Sequence, residues 1–531
     1  MPKRFNVTGV CIPELHYMVN TKNQIDQIIA DYIRKGSYFT INRARQFGKT
    51  TTLYLLERQL REQYTVIRLS FEAADELFQS LYTFTKGLIR SISRELKMQE
   101  TENSLIRQWE QPVSHDLPFS DLSDRITDLC SGNDKKIILM IDEVDKSADN
   151  QIFLSFLGLL RNKYLGQQQQ RDLTFQSVIL AGVYDIKNLK LKLHPEEETK
   201  YNSPWNIAAD FHLDLSFQPE DIAGMLADYE ADYHTGMDIP ALSRWIYEYT
   251  DGYPYMVSRI CMLIEERAAG SKDFPTRKDA WTKSGFLYAI RLFLQDTNTL
   301  FDDMVKTLKQ YPLLKERIED ILFCGTRYTF ESNSPLINIG VMFGFLKNRE
   351  NMVAVANRIY ETKMYNLFLS ERELHSAHLP ELRDNGTSHG TTFILHGMLQ
   401  MNIVMEKFYE YYEEIFKNAN EKFLENEGRR LFLMYLRPII NGAGNYYIEA
   451  QTRDQTRTDV IIDYRGQRFI VEMKLWHGKS YHERGQRQLL SYLDDYRLDM
   501  GYLLSFNFNK NKQTGIHEIV LDGKKILEVV V

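Results

Sequence analysis

The chain has 531 residues, with 65 Lys and Arg against 72 Asp and Glu and a formal charge of −7. That length predicts about three or four domains, and its 43% hydrophobic and 12% aromatic content excludes wholesale disorder. The acidic balance excludes a protein that coats nucleic acid through bulk charge, but not one with a local basic groove.

Cys11, Cys130, Cys261 and Cys324 are far apart and form no CxxC pair. The expectation is therefore neither a zinc site nor a disulfide framework, and a reducing, cytoplasmic setting. The opening MPKRFNVTGVCIPELH has no sustained apolar run, which predicts no signal peptide. The most apolar runs, such as IILMI at 137–141, are strand-length, well short of the ~20 residues of a membrane span; no membrane partner is expected.

From 22 to 217, short β-rich runs alternate with amphipathic helices. The predicted strands are YFTI (38–41), TVIRLSF (65–71), KIILMI (136–141), SVILAG (177–182) and FHLDLSF (211–217). Strands separated by helices imply an α/β domain with a parallel sheet. From 218 to 300 only helices are predicted, opening at PEDIAGMLADYE. Between 301 and 370 helices precede a turn, KNREN, a short strand, MVAVAN (352–357), and a helix, RIYETKMYNLFL, an order resembling a winged helix. The polar stretch 370–392 is a linker, followed by a long helix. Beyond 420 an α/β pattern returns: a helix near 424–437, strands at NYYIEA, TDVIIDY and QRFIVEMKL, a helix at GQRQLLSYLDDY, then strands at GYLLSF and HEIVLD. The predicted partition is 1–217, 218–300, 301–370, 371–420 and 421–531.

Two motifs carry chemistry in the first domain. RARQFGKTT (43–51) lies between a strand and a helix, the setting of a phosphate-binding loop. Gly48 lets backbone approach phosphates at a helix N-terminus, Lys49 reaches the β- and γ-phosphates, and Thr50 binds Mg²⁺, with Thr51 beside it. Arg43 stands where the GxxxxGK[ST] pattern has Gly. About 90 residues on, KKIILMIDEVDK ends an apolar strand in Asp142 and Glu143: Asp142 orients the Mg²⁺ shell and Glu143 polarises the attacking water. ATP and Mg²⁺ are the predicted cofactors.

RQFGKTT, IDEVD and DGYPYMVSRI (251–260) together resemble the AAA-like, STAND-related P-loop ATPases. The resemblance implies a helical lid positioned by Gly252 and Pro254, Arg259 as a sensor arginine that contacts nucleotide, Arg161 as a candidate arginine finger, and HYMVN (16–20) against the adenine. A finger supplied in trans would need a homo-oligomer.

In the last domain, Asp459 opens one predicted strand and Glu472-Met473-Lys474 lies on the next. Residues i and i+2 of a strand share a face, so Glu472 and Lys474 project together, and a hairpin turn at Arg465-Gly466 brings Asp459 alongside. Two carboxylates and a lysine suit metal-assisted phosphodiester hydrolysis, Asp459 and Glu472 holding the ion. The set resembles the PD-(D/E)XK nuclease superfamily, with Thr458 where Pro is usual. Gln488 and Tyr492, at i and i+4 on one helix, match its QxxxY element. Glu427 resembles its helical acid, and Glu449 is a further candidate ligand. Residues 421–531 hold 17 Lys and Arg against 15 Asp and Glu, a balance of +2 beside −9 for residues 1–420. Arg429, Arg430, Arg453 and Arg457 are candidate phosphate contacts, Trp476 and Tyr481 candidate base-stacking residues. The fold class expected is α/β throughout: a P-loop ATPase with helical lid and winged-helix-like segment, joined to a restriction-endonuclease-like domain, as in a group of bacterial fusions. The function implied is ATP-regulated cleavage of nucleic acid, DNA before RNA. The alternative is an ATP-switched signalling or scaffold protein whose last domain binds nucleic acid without cutting it.

Overall fold

The structure, a computed structural model, describes residues 3–72, 75–99, 103–147, 150–183, 205–324, 326–375, 393–395, 398–416, 425–440, 444–447, 460–464, 466–476, 479–507 and 514–531. It divides into two compact units, Met1–Met262 with Asn338–Gly344, and Leu263–Ile337 with Phe345–Val531.

In the first unit, two short strands, β1 (Arg4–Phe5) and β2 (His16–Tyr17), pair in parallel. Helix α1 (Lys22–Ile28) follows, continuing into a π-helical turn at Ile29–Ile33. Next come β3 (Phe39–Asn42), α2 (Lys49–Leu60), β4 (Thr65–Ser70), α3 (Leu81–Met98), α4 (Asn103–Trp109), α5 (Pro118–Gly132), β5 (Ile137–Asp142), α6 (Gln151–Gln168) and β6 (Ser177–Gly182). The four strands form a parallel sheet in the order β3-β6-β5-β4. All six residues of β5 are buried, as expected of a parallel strand covered on both faces. Its alternate side chains serve different cores. Ile137, Leu139 and Ile141 pack with α3, α5 and α6, while Ile138 and Met140 pack with α1 and α2.

One predicted strand is corrected. Residues 211–217 form no strand; only Ala209 bridges to Phe39, in parallel, beside the β3 edge. The backbone here is held by side chains instead of a ladder. The Tyr32 hydroxyl donates to Asp210 O (3.0 Å) and accepts from His212 N (3.2 Å), and Arg43 donates to Leu213 O at 2.5 Å. Three helices follow: α7 (Pro219–Tyr233), α8 (Ile239–Thr250) and α9 (Pro254–Leu263). Gln218 and Asp221 form a capping box ahead of α7, and the Asp238 carboxylate caps α8.

The second unit continues with α10 (Arg277–Ala280), α11 (Lys283–Gln295), α12 (Thr299–Gln310) and α13 (Pro312–Cys324). After α14 (Pro335–Met342), strands β7 (Leu346–Arg349) and β8 (Met352–Val355) form an antiparallel hairpin. Glu350 and Asn351 both take positive φ, 52° and 65°, as a two-residue type I′ turn requires. Helix α15 (Arg358–His375) follows. Most of the 370–392 linker lies outside the described residues. Beyond it come a small hairpin, β9 (Ile394–Leu395) with β10 (Met398–Leu399), then α16 (Met401–Phe416) and α17 (Glu425–Ile440).

The remaining elements are β11 (Gly444–Tyr447), β12 (Val460–Tyr464), β13 (Gln467–Leu475), α18 (Lys479–Asp495), β14 (Met500–Phe506), β15 (Gly515–Leu521) and β16 (Lys524–Val530). They build a six-stranded sheet ordered β11-β12-β13-β14-β16-β15, with β13, β14 and β16 mutually parallel. Helix α18 covers one face through Leu489, Tyr492 and Leu493 against Ile461, Ile470, Leu503 and Ile526. Helices α16 and α17 cover the other: Tyr412 packs on Phe506 (5.5 Å between centroids), and Gly428 sits so close to that ring that a Cβ would lie 2.4 Å from it. Among the described residues, no helix is long and apolar enough to cross a membrane.

Candidate functional site

The C-terminal ends of β3, β5 and β6 converge on the loop between β3 and α2. Asn42 is in register with Gly182, and Ser70 with Asp142. Gly48, at φ 81°, is the left-handed N-cap of α2, a conformation that favours glycine. Lys49 is 6% exposed, and its Nζ donates to the loop carbonyls of Arg43 (2.9 Å) and Ala44 (3.0 Å). Burial pushes this ammonium below its ordinary pKa, against the raising pull of Asp145, Glu143 and Asp142. Thr51 accepts a hydrogen bond from Cys11 N at 3.1 Å.

Asp142 ends β5 and is 6% exposed. Its Oδ1 accepts from Glu143 N at 3.0 Å, and Glu143 itself sits at φ 56°. Burial first, then Asp142, pushes the Glu143 carboxyl above its ordinary range, with Lys49 opposing. Thr50, Asp142 and Glu143 line one cavity of about 320 Å³, shared with Arg68, Ser91 and Arg94. A hydroxyl and carboxylates around one cavity, with a buried lysine in the adjoining loop, are a hard-oxygen and cationic set that fits a nucleotide phosphate and a divalent ion.

The motif DGYP also reaches this loop. Gly252, at φ 70°, lies so close to Phe217 that a Cβ would stand 2.0 Å from its carbonyl oxygen, and its own carbonyl accepts from Phe217 N at 2.9 Å. Pro254 packs beside Gly48. Tyr253 donates its hydroxyl proton to Arg45 O and meets Phe47 edge-on at 4.7 Å. Arg259 on α9 and Arg161 on α6 are half-buried, and neither lines the cavity.

A family comparison decides what this assembly is: the sequence profile of the AAA-like domain matches residues 13–362. The chain belongs to the AAA-like domain family. Solved structures of low identity also align with this AAA-like protein. They include a Walker-type ATPase of Pyrococcus abyssi (14% identity, TM-score 0.43, 68% of this chain and 99% of that one). Others are the ORC2 protein of Aeropyrum pernix (12%, 0.35, 66% and 94%) and the ORC1 protein of the same organism in complex with DNA (10%, 0.30, 67% and 94%). No curated protein matches the chain.

Three further contributors to the AAA-like site sit inside its motifs at positions to which the motifs assign no role. Asp145 accepts Val183 N with both carboxylate oxygens, at 2.6 and 2.7 Å, locking the end of β6; the IDEVD run contained that signal. Tyr253 adjoins a recognised turn, but nothing local marks its hydroxyl as a loop anchor. Arg43 is the third. Its guanidinium donates to Asn42 O (2.9 Å) and Leu213 O and lies 5.4 Å from the Phe211 centroid, so it secures the segment that has no ladder. Arg43→Gly, which restores the loop pattern, should therefore lower stability by about 1.5–3 kcal/mol, the range for hydrogen bonds from a charged donor. Urea titration checks it; an unchanged midpoint dismisses the anchoring role. The stretch HYMVN turns inward: Tyr17 is 1% exposed, packed on Phe5 (5.2 Å) and Tyr229 (5.2 Å), with its hydroxyl on Asp232.

In the second unit, Glu472 and Lys474 share the β13 face under α18. Lys474 Nζ lies 3.0 Å from Glu472 Oε1, and Glu472 is fully buried. Gly485 of α18 lies directly over this pair: a Cβ there would make ordinary contact with Lys474 Cγ, at 3.4 Å. Gln488 Nε2 donates to Tyr492 OH at 2.9 Å. Asp459, Glu449, Arg453 and Arg457 lie outside the described residues, as do the side chains of Glu427, Arg429, Arg430 and Tyr481. The β12–β13 ladder is described as far as Val460–Val471, one residue before Glu472. Trp476 is half-buried. Among the described residues, no group of three His, Cys, Asp or Glu could hold a metal ion.

Proposed function

We propose that this AAA-like protein binds and hydrolyses ATP and that the nucleotide state controls Mg²⁺-dependent cleavage of nucleic acid, DNA before RNA, by its C-terminal unit. The observation that carries the ATP half is that Thr50, Asp142 and Glu143 line one cavity, with the buried Lys49 next to Thr50 in the adjoining loop. Bound Mg²⁺ would neutralise phosphate charge between Thr50 and Asp142. Lys49 would leave the carbonyls of Arg43 and Ala44 for the phosphates, and Glu143 would take a proton from water. Arg259 is assigned as the sensor arginine.

The nuclease half is supported by the α17–β11–β12–β13–α18–β14 succession and by Glu472, Lys474 and Gln488 on or beside one sheet face. Asp459 is assigned as the second acid. Among the described residues Glu472 is the carboxylate beside Lys474 and Gln488, and no group of three His, Cys, Asp or Glu gathers around it.

The complete burial of Glu472 against Lys474 favours a second reading, a nuclease-like unit that binds nucleic acid without cutting it. Plasmid cleavage with Mg²⁺, with and without ATP, separates the two. Glu472→Ala should cut about 100-fold more slowly or worse, with its melting followed to confirm folding. Equal cutting by wild type and variant removes the nuclease reading. DNA retention without any Glu472-dependent cutting establishes the second.

A further inference from the structure

Helix α3 carries a basic stripe of which only Arg94 lines the ATP cavity. Lys86, Arg90, Arg94 and Lys97, at i, i+4, i+8 and i+11, fall within an arc of about 80° on a helix of 3.6 residues per turn, and all four are exposed. The opposite side, Phe84, Leu88, Ile92 and Leu96, is buried in the core. Lys97 pairs with Glu110 at 2.5 Å. Among the described residues Lys86, Arg90 and Arg94 make no ion pair, although Lys86 lies 6.0 Å from the Tyr82 ring centroid. A merely solvated helix face usually interleaves acids for its bases; α3 has one acid, Glu95, half-buried near Glu57. The stripe also stands out in a 420-residue portion whose balance is −9.

We propose that this face of α3 docks the sugar-phosphate backbone of nucleic acid, giving the ATPase unit its own contact with that partner. Charges four residues apart rise about 6 Å along the helix, close to two phosphates at about 3.4 Å of axis each. Guanidinium groups suit phosphate through paired donors. An anionic membrane is the poorer match, because the apolar side of α3 is sealed in the core and has nothing to insert. Arg94 and Ser91 of the same helix line the cavity that Thr50, Asp142 and Glu143 line. A strand on α3 therefore rests on the wall of the hydrolytic site, and nucleic acid should stimulate ATP hydrolysis.

The test uses the full chain and reads binding, not cutting, so its outcome is independent of the C-terminal proposal. Fluorescence anisotropy follows a labelled duplex of about 30 base pairs across a salt series of about 50–200 mM. Lys86→Gln/Arg90→Gln should weaken binding about 10-fold and reduce the slope of log K against log salt by about 2. It should also lose nucleic-acid-stimulated ATPase while keeping the basal rate. Lys22→Gln/Lys35→Gln, on the other flank, removes the same charge and should change nothing. An unchanged affinity and slope in the α3 variant overturns the proposal. Equal losses in both variants overturn it too, since bulk charge then suffices. So does loss of binding to phosphatidylserine vesicles with duplex binding intact.

Discussion

Lys49→Met should abolish ATP turnover, lowering it by about 100- to 1,000-fold, the range for removing one preorganised charge donor from developing phosphate charge. Lys49 is buried and its Nζ already points into the phosphate-binding loop, where it donates to Arg43 O and Ala44 O. Met keeps the length and apolar stem, so the loss reports the charge. A second readout comes from pH. Burial lowers the Lys49 pKa from its ordinary 10.5, so the unfolded chain holds this proton more tightly than the folded one. Stability attributable to Lys49 must therefore rise with pH across the window just below 10.5. Chemical denaturation of wild type and Lys49→Met without nucleotide should show wild type gaining relative to the variant there. Parallel pH profiles would refute the buried, desolvated lysine. Normal ATP turnover by the variant would remove the phosphate-binding role itself.

The legible parts of this protein are those whose physics is local. Gly48-Lys49-Thr50 could be read because a strand, a tight turn and a helix start occupy consecutive residues. Asp142-Glu143 could be read because a six-residue apolar run is short for a helix and both its faces are buried. The FHLDLSF run misled because its alternation satisfies strand patterning, whereas its partners are the side chains of Tyr32 and Arg43, about 170 residues upstream. Departures from a pattern carried information of their own. Arg43 breaks the loop consensus because its guanidinium performs a tertiary task that glycine has no atoms to perform.

The C-terminal sheet shows the same division. Strands β12 and β13 alternate or run apolar and are legible in the sequence, and the i, i+2 rule places Glu472 and Lys474 together. Strand β16 was missed because its Lys524-Lys525 opening resembles a tail, although Asp522-Gly523 before it, both at positive φ, is a strong hairpin signal. Its insertion between β14 and β15 is parallel to β14, a register no short-range pattern encodes. Nor is the burial of Glu472 visible in the sequence, since it depends on α18 covering that face of the sheet.

Glu143→Gln should separate chemistry from binding. Removing a general base lowers turnover by about 10²- to 10⁴-fold, while Lys49, Thr50 and Asp142 remain to hold nucleotide, so ATP affinity should persist. The same change should stabilise the protein at neutral pH. Burial and the neighbouring Asp142 raise the Glu143 pKa above 4.5 in the folded state. A carboxyl raised on folding contributes stability that is full below 4.5 and is lost as pH rises through the folded value. At pH 7 the charged Glu143 therefore opposes folding, and glutamine, neutral at every pH, does not. Melting without nucleotide should place Glu143→Gln above wild type at neutral pH, with the gap closing as the pH falls toward 4.5. A variant that melts below wild type at pH 7 would mean that the Glu143 carboxylate makes a stabilising contact, contrary to its desolvated position beside Asp142. A variant that turns over ATP at the wild-type rate would move the base elsewhere in the cavity, with Glu72, which also lines it, the next carboxylate to substitute.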